Sequence, residues 1–362
     1  MFDLSIFIPT HYAGPRHYSV IMAACELART NRNIEVVVSD NSELPEKFAF
    51  LSTFASENFR VIKGPELKNH LFALEQTTGR YVMAVGDDDT LLPAAFPGLI
   101  AALNADNSFI GTMGQFGREL GTGYDFHQLP GVDDVAFGTR VTGVANTIGL
   151  GNPIFHAIVD RNVLLASYKL WHAFPNPMSH HDQLMSLFVA CSGRLKLAAQ
   201  PYFIYNIANH LRDQTVNTEI RYAKFFGHPV SLWILSRLML AVEGAFLIQS
   251  PDFPVAADQR NIAASAWFRG WHGAWLHSLN DNYYVGPEFT SCPDAIHVRA
   301  LAEKYLKTTQ FEPKTMLEEI AGLYEVISGS GARYLDFWTR MASDGVAAAT
   351  ASEINLDGCA AA

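Results

Sequence analysis

The sequence predicts an α/β protein, a mostly parallel central sheet with helices on both faces, followed by a C-terminal α-helical domain. Two observations carry that reading. Through the first half, short apolar runs alternate with helical patterns, as in parallel strands joined by crossover helices. After about residue 215 the texture changes to helices alone, punctuated by Pro251, Pro254, Pro287, Pro293 and Pro313.

Taken in order, Leu4-Ser5-Ile6-Phe7-Ile8 reads as a buried strand stopped by Pro9, residues 20–29 as a helix, and Ile34-Glu35-Val36-Val37-Val38-Ser39 as a second strand. A helix at 46–56 precedes the short strand Phe59-Arg60-Val61-Ile62. A helix at 69–77 ends at Gly79, and Arg80-Tyr81-Val82-Met83-Ala84-Val85 is a fourth strand. From 111 to 153 the pattern weakens and Gly111, Gly114, Gly117, Gly121 and Gly123 accumulate, which reads as long connections over one edge of the sheet. A helix at 181–191 and a strand-like run at 195–205 close this half. Helices follow at 220–248, 256–279, 294–306, 313–327 and 332–341. The expected division is an α/β domain at 1–215, a helical domain at 216–344 for recognition or oligomerisation, and a disordered Ala-rich tail at 345–362.

Composition narrows the class. The chain has 362 residues, so a prior of roughly 150 residues per domain gives about two domains. A hydrophobic fraction of 49% with 17% charged residues is globular rather than disordered. With 26 Lys+Arg against 36 Asp+Glu the formal charge is −10, which argues against a nucleic-acid partner. Cys25, Cys191, Cys292 and Cys359 form no CxxC pair, so neither a zinc site nor a disulfide framework is expected, and the usage suits a reducing cytoplasm. No basic, apolar leader opens the chain, and its longest apolar stretch, 230–248, is broken by Ser236, Arg237 and Glu243. The expectation is a cytoplasmic protein.

In open α/β sheets ligands bind beyond the carboxyl ends of the strands. Three such ends stand out: Pro9-Thr10-His11, Asp40-Asn41-Ser42 and Asp87-Asp88-Asp89. Three adjacent carboxylates repel one another, and a hard divalent cation would relieve that repulsion while keeping open positions for substrate phosphates. The alternative is a solvated acidic turn capping a helix that begins near Leu91.

These segments, with Gly79-Arg80-Tyr81-Val82 before the carboxylates and Leu92-Pro93 after them, resemble a family 2 glycosyltransferase, closely over about the first 100 residues and more loosely to about 215. The resemblance implies a GT-A fold, a nucleotide-sugar donor, a divalent metal (Mn²⁺ or Mg²⁺) and inversion at the anomeric carbon. It implies that Pro9, Thr10 and His11 lie against the nucleotide and that Asp40 accepts a hydrogen bond from the base. In the DxD-like motif Asp87 would face the ribose or the metal, Asp88 would line the donor site, and Asp89 would bind the metal. The general base of the family stands at a helix start, which here is Asp182 in Ser179-His180-His181-Asp182-Gln183. A helix N-terminal Asp favoured by the dipole is the structural alternative.

Two positions depart from the family pattern. The Tyr-Arg-x-His element, whose His can ligate metal or diphosphate in the family, reads Tyr205-Asn206-Ile207-Ala208, with His210 as the candidate metal ligand or Arg212 as a substitute from a shifted register, and Thr10-His11-Tyr12 stands where Thr-Tyr-Asn is common. A His180/His181/Asp182 metal site lacks a third local ligand. No GxGxxG, P-loop or GxSxG motif occurs. Trp267, Trp271 and Trp275 share one helix face. That stripe reads as core, with a dimer contact or a membrane-docking face as alternatives.

The reading is an inverting glycosyltransferase using a UDP-sugar by preference, with Asp182 as base. Its expected acceptor is a glycan or a lipid-linked acceptor in bacterial surface glycan or glycoconjugate synthesis. Peripheral membrane contact and a homo-oligomer through the helical domain are compatible with it. The alternatives are a noncatalytic nucleotide-sugar or glycan binding module, and a nucleotidyltransferase, for which the loop Gly14-Pro15-Arg16-His17 is too sparse in glycine and basic residues.

Overall fold

A computed structural model describes residues 2–11, 15–66, 68–120, 123–146, 152–174, 181–206, 230–271, 294–308, 310–345 and 349. The chain forms two compact units. The first comprises Met1–Val135, Leu150–His172 and Ser192–Ala208, and the second Ala136–Gly149, Ala173–Cys191 and Asn209–Ala362. Segments 136–149 and 173–191, which the sequence reading assigned to the N-terminal domain, therefore belong to the second unit.

The first unit begins as β1 (Leu4–Thr10), α1 (Pro15–Thr30), β2 (Ile34–Asp40), α2 (Pro45–Ser52), β3 (Phe59–Lys63), α3 (Asn69–Glu75) and β4 (Tyr81–Ala84). β1 and β2 are buried at every position, as a strand covered on both faces must be. Strands β3, β2, β1 and β4 lie side by side and parallel, with Thr10 opposite Asp40 and Asp40 opposite Lys63 at the carboxyl edge. The helix expected near Leu91 does not form there. β5 (Thr90–Leu91) instead pairs antiparallel with β9 (Leu195–Tyr205), and α4 (Phe96–Asn104) starts only after a 3₁₀ turn at Pro93–Ala95. The triple Asp is thus not a helix cap. It occupies a turn between β4 and β5.

The glycine-rich stretch corrects a second expectation. Residues 111–119 are not a loop but β6 (Gly111–Glu119), which pairs with β7 (Tyr124–His127), β8 (Ile158–Asp160) and β9. The full order is β3-β2-β1-β4-β8-β6-β9-β5, with β7 on β6. Glycine is required here by close approach of neighbouring strands. A Cβ on Gly111 would stand 2.3 Å from the Ile158 carbonyl oxygen, and one on Gly114 would stand 2.2 Å from that of Gln200, where the β6–β9 register slips. The residues that looked like loop formers are small because the sheet is tight.

The second unit contains α5 (Phe137–Asn146), most of α7 (His181–Ser192), α8 (Val230–Gln249), α9 (Arg260–Trp271), α10 (Ala295–Leu306), α11 (Pro313–Ser328) and α12 (Gly331–Asp344). α6 (Arg161–Ala173) belongs to the first unit but for its last residue. α8 is the hub, packing against α9, α10, α11 and α12, and α9 packs also on α5. Trp267 and Trp271 are fully buried. Trp267 Nε1 donates to the Leu240 carbonyl at 3.3 Å, over a space left by Gly244. Core packing is thus what this face does, and Trp275 lies outside the described residues. No helix among the described residues is long and apolar enough to cross a membrane. Apart from Gly345 and Ala349, the segment expected to be disordered lies outside the described residues.

Candidate functional site

Parallel strands bring their carboxyl ends to one edge, so Thr10, Asp40 and the turn after β4 meet although 77 residues separate the first from Asp87. Thr10 Oγ1 donates to Asp87 Oδ2 at 2.6 Å, and His17 Nδ1, on the first turn of α1, lies 3.4 Å from Asp87 Oδ1. The turn closes on itself through Asp89. Gly86 N–H donates to Asp89 Oδ2 at 3.1 Å and the Asn206 N–H, just past β9, donates to Asp89 Oδ1 at 3.1 Å. Asp89 is 3% exposed, and burial, reinforced by Asp88 and Asp87, pushes its pKa well above the carboxylate range.

Asp40 is completely covered. Its Oδ1 accepts from Ser42 N–H at 3.0 Å and lies 3.3 Å from Lys47 Nζ, while its Oδ2 lies 3.4 Å from Lys63 Nζ. Burial alone would raise its pKa, but the Ser42 hydrogen bonds and Lys47 outweigh that and hold it below the usual range. Lys47 is itself 1% exposed and also donates to Thr10 Oγ1 at 2.8 Å. Burial lowers the Lys47 pKa by more than Asp40 and Asp87 raise it. Lys47 on α2, Thr10 at the end of β1 and Asp87 after β4 therefore form one chain of hydrogen bonds, with Asp40, at the end of β2, as the second counter-charge.

Of the residues expected at the donor site, Pro9, Thr10, Asp40, Asp87 and Asp89 are buried at this edge of the sheet. Asp88 is half-buried and His11 is exposed, so these two present the most surface. Burial lowers the His11 pKa despite the opposing pull of Asp87. Asp182 belongs to the other unit, where it is half-buried in the first turn of α7, next to the buried His181. His210, Arg212 and His180 lie outside the described residues. Among the described residues no group of three His, Cys, Asp or Glu is placed to hold a metal ion.

Three contributors escaped the sequence reading. Lys47 sits in the first turns of an ordinary-looking helix, where a lysine normally faces water, and nothing local signals its burial. His156, in a 3₁₀ turn (Pro153–His156), faces the Ala84 carbonyl at 3.1 Å through Nδ1 and stacks on Phe203 at 4.4 Å, beneath the carboxylate turn. Burial lowers its pKa to about 4, so it is neutral at pH 7. Asn206 is 2% exposed, and among the described residues neither its Oδ1 nor its Nδ2 has a hydrogen-bond partner. Its place after Tyr205, at a departure from the family pattern, was the available signal.

Residues 5–151 match the family described as Glycosyl transferase family 2. No curated protein matches the sequence. Among solved structures, S. aureus TarS 1–349 in complex with UDP-GlcNAc is 11% identical with a TM-score of 0.56, covering 99% of this chain and 92% of that one. The same fragment in complex with UDP is 13% identical with a TM-score of 0.53 and the same coverage. The longer S. aureus TarS chain is 13% identical with a TM-score of 0.51, covering 94% of this chain but 55% of that one. At such identities the likeness is one of fold, and the fold is GT-A.

Proposed function

We propose that this chain, whose residues 5–151 match the family described as Glycosyl transferase family 2, is a glycosyltransferase that transfers a sugar from a nucleotide-sugar donor to an acceptor hydroxyl with inversion. The observation that carries the reading is the Asp87–Asp89 turn at the carboxyl edge, hydrogen-bonded through Asp87 to Thr10 and through Thr10 to Lys47. A UDP-sugar is the favoured donor, supported by the likeness of fold to TarS, whose structures hold UDP and UDP-GlcNAc. The acceptor class is a glycan or a lipid-linked glycan of a bacterial surface polymer.

In this reading Thr10, His11 and Asp87 line the nucleotide. Asp40 Oδ2 takes a base N–H in place of the half-exposed Lys63 ammonium. The donor set fits a Mg²⁺ or Mn²⁺ ion of the kind held by one carboxylate and the substrate's phosphates. Asp88 is the carboxylate with surface to spare, whereas both oxygens of Asp89 already accept backbone N–H groups. When bound, the ion neutralises charge on the departing nucleoside diphosphate. We therefore assign Asp88 as the metal ligand, with Asp89 closing the turn that aims it. Asp182 takes the proton of the acceptor hydroxyl as that oxygen bonds to the anomeric carbon and the bond from that carbon to the diphosphate oxygen breaks.

The test is thermal unfolding with a panel of nucleoside diphosphates, in Mn²⁺ and in EDTA. At 100 times its Kd a ligand of the folded state adds about 2.7 kcal/mol of stability. One nucleotide should stabilise the wild type in Mn²⁺ and lose most of that effect in EDTA or in Asp88→Asn. An Asp182→Asn variant should keep that stabilisation while transfer falls about 100-fold. If no nucleotide stabilises the protein, the donor-site reading fails.

A further inference from the structure

The second unit buries a carboxylate that folding does not require. Glu243 lies in the middle of α8, 1% exposed, among the buried side chains of Leu240, Val242 and Leu247. Taking a carboxylate out of water costs several kcal/mol, and a well-packed apolar residue in such a place is often neutral or stabilising. Both of its oxygens are occupied. Tyr334 OH, from α12, donates to Oε1 at 3.1 Å, and His181 Nε2 lies 3.1 Å from Oε2. His181, 2% exposed, is the first residue of α7.

The same histidine is held from a second side. The ring of Phe174 meets it edge-on at 4.6 Å, and Phe174 in turn packs on Trp338 at 5.2 Å, also from α12. Tyr334 is braced by Tyr324 of α11 at 5.3 Å. Glu243 of α8 and the ring of Phe174 thus hold one imidazole at the start of α7, and α12 backs both of them through Tyr334 and Trp338. The next residue is Asp182. At 3.6 residues per turn it points about 100° away from His181, so a helix that buries the histidine leaves the aspartate half-buried.

We infer that Glu243, braced by Tyr334, is a positioning residue for the base Asp182 and acts on it through His181. The inference rests on the reading of Asp182 as base given above. The physical reason is the tolerance of proton transfer to position. A general base must lie within hydrogen-bond reach of the proton it removes, and a misplacement of about 1 Å can cost about 100-fold. Helix termini fray, and the first turn lacks intrahelical partners for its N–H groups. A side chain anchored at residue 181 by a buried carboxylate removes that freedom at the one turn where the chemistry needs it.

Glu243→Gln and Tyr334→Phe test this, each alone and in an Asp182→Asn background. The readouts are the thermal midpoint, nucleoside-diphosphate release from a UDP-sugar, and the donor KM. Glu243→Gln should lower kcat about tenfold and Tyr334→Phe about threefold, with the donor KM within about twofold of wild type. In the Asp182→Asn background neither should lower the remaining rate further, because residues acting through one group are not additive. Wild-type kcat in both single variants overturns the inference. So does the same fold-loss with and without the Asp182 carboxylate, which would mark the cluster as packing alone. Should Glu243→Gln fail to fold, Tyr334→Phe, which removes one hydroxyl, carries the test. Wild-type kcat in Asp182→Asn itself would be a different failure, that of the base assignment, and the positioning role would fall with it.

Discussion

Lys47→Met is expected to cost about 3–5 kcal/mol of folding stability, the range for removing one partner of a buried ion pair. Lys47 and Asp40 both have fully covered side chains, so the lost ammonium cannot be replaced by bulk water. The methionine fills similar space, so packing changes little and the loss is mainly electrostatic. Asp40 would keep Ser42 N–H and the more distant, half-exposed Lys63. Thr10 would lose its donor and with it the link that orders Asp87. Urea unfolding at pH 7 measures the change. Asp40→Asn added to Lys47→Met should recover part of it, since the uncompensated charge is what costs. A loss below about 1 kcal/mol would show that the pair is not what holds these strand ends together. If it folds, Lys47→Met should also weaken nucleotide binding, because Thr10 and Asp87 line the proposed donor site.

Acidification from pH 7 to 5 is expected to remove about 4 kcal/mol, through histidines that the fold keeps neutral. Burial lowers the pKa of His70, His156 and His172 to about 4 each. The unfolded chain takes up protons near pH 6.5, before the folded one does, so stability is intact above about 6.5 and is lost as the pH falls toward about 4. His156, fully buried, contributes about 2 kcal/mol between pH 7 and 5, and the half-buried His70 and His172 somewhat less each. Asp89 has the opposite sign: its raised pKa favours the folded state in acid and loses that advantage as the pH rises. Urea unfolding at pH 7, 6 and 5 reads the sum, and His156→Gln should flatten the slope by about half. An unchanged slope in His156→Gln would contradict neutral burial of that ring, because the Asp89 contribution is common to both proteins.

Much of this could be read in the chain before folding was considered. Ile34-Glu35-Val36-Val37-Val38-Ser39 announces a covered strand because every position but the second is apolar or small, and Asp40 marks its end. The Asp87–Asp89 turn is visible because three adjacent carboxylates need a reason. The capping reading of that turn fails because Thr90-Leu91 has a partner 114 residues away, Ile204 opposite Thr90. The loop reading of 111–119 failed for a related cause. Glycine marks mobility when nothing lies beside it, and marks close packing when a carbonyl stands 2.2 Å from where its Cβ would be.

What the sequence by itself determined is whatever depends on neighbours a few residues apart: the alternation of strand and helix, the order of the motifs, and the chemical kinds at each strand end. What only the tertiary structure decided is which of those groups are covered and what they face. Asp88 keeps surface while Asp89, one residue on, is spent on two backbone N–H groups. Lys47 is a core cation, and His181 faces a glutamate 62 residues later. Burial and charge pairing are sums over atoms that meet only when the chain closes, so no window of sequence contains them.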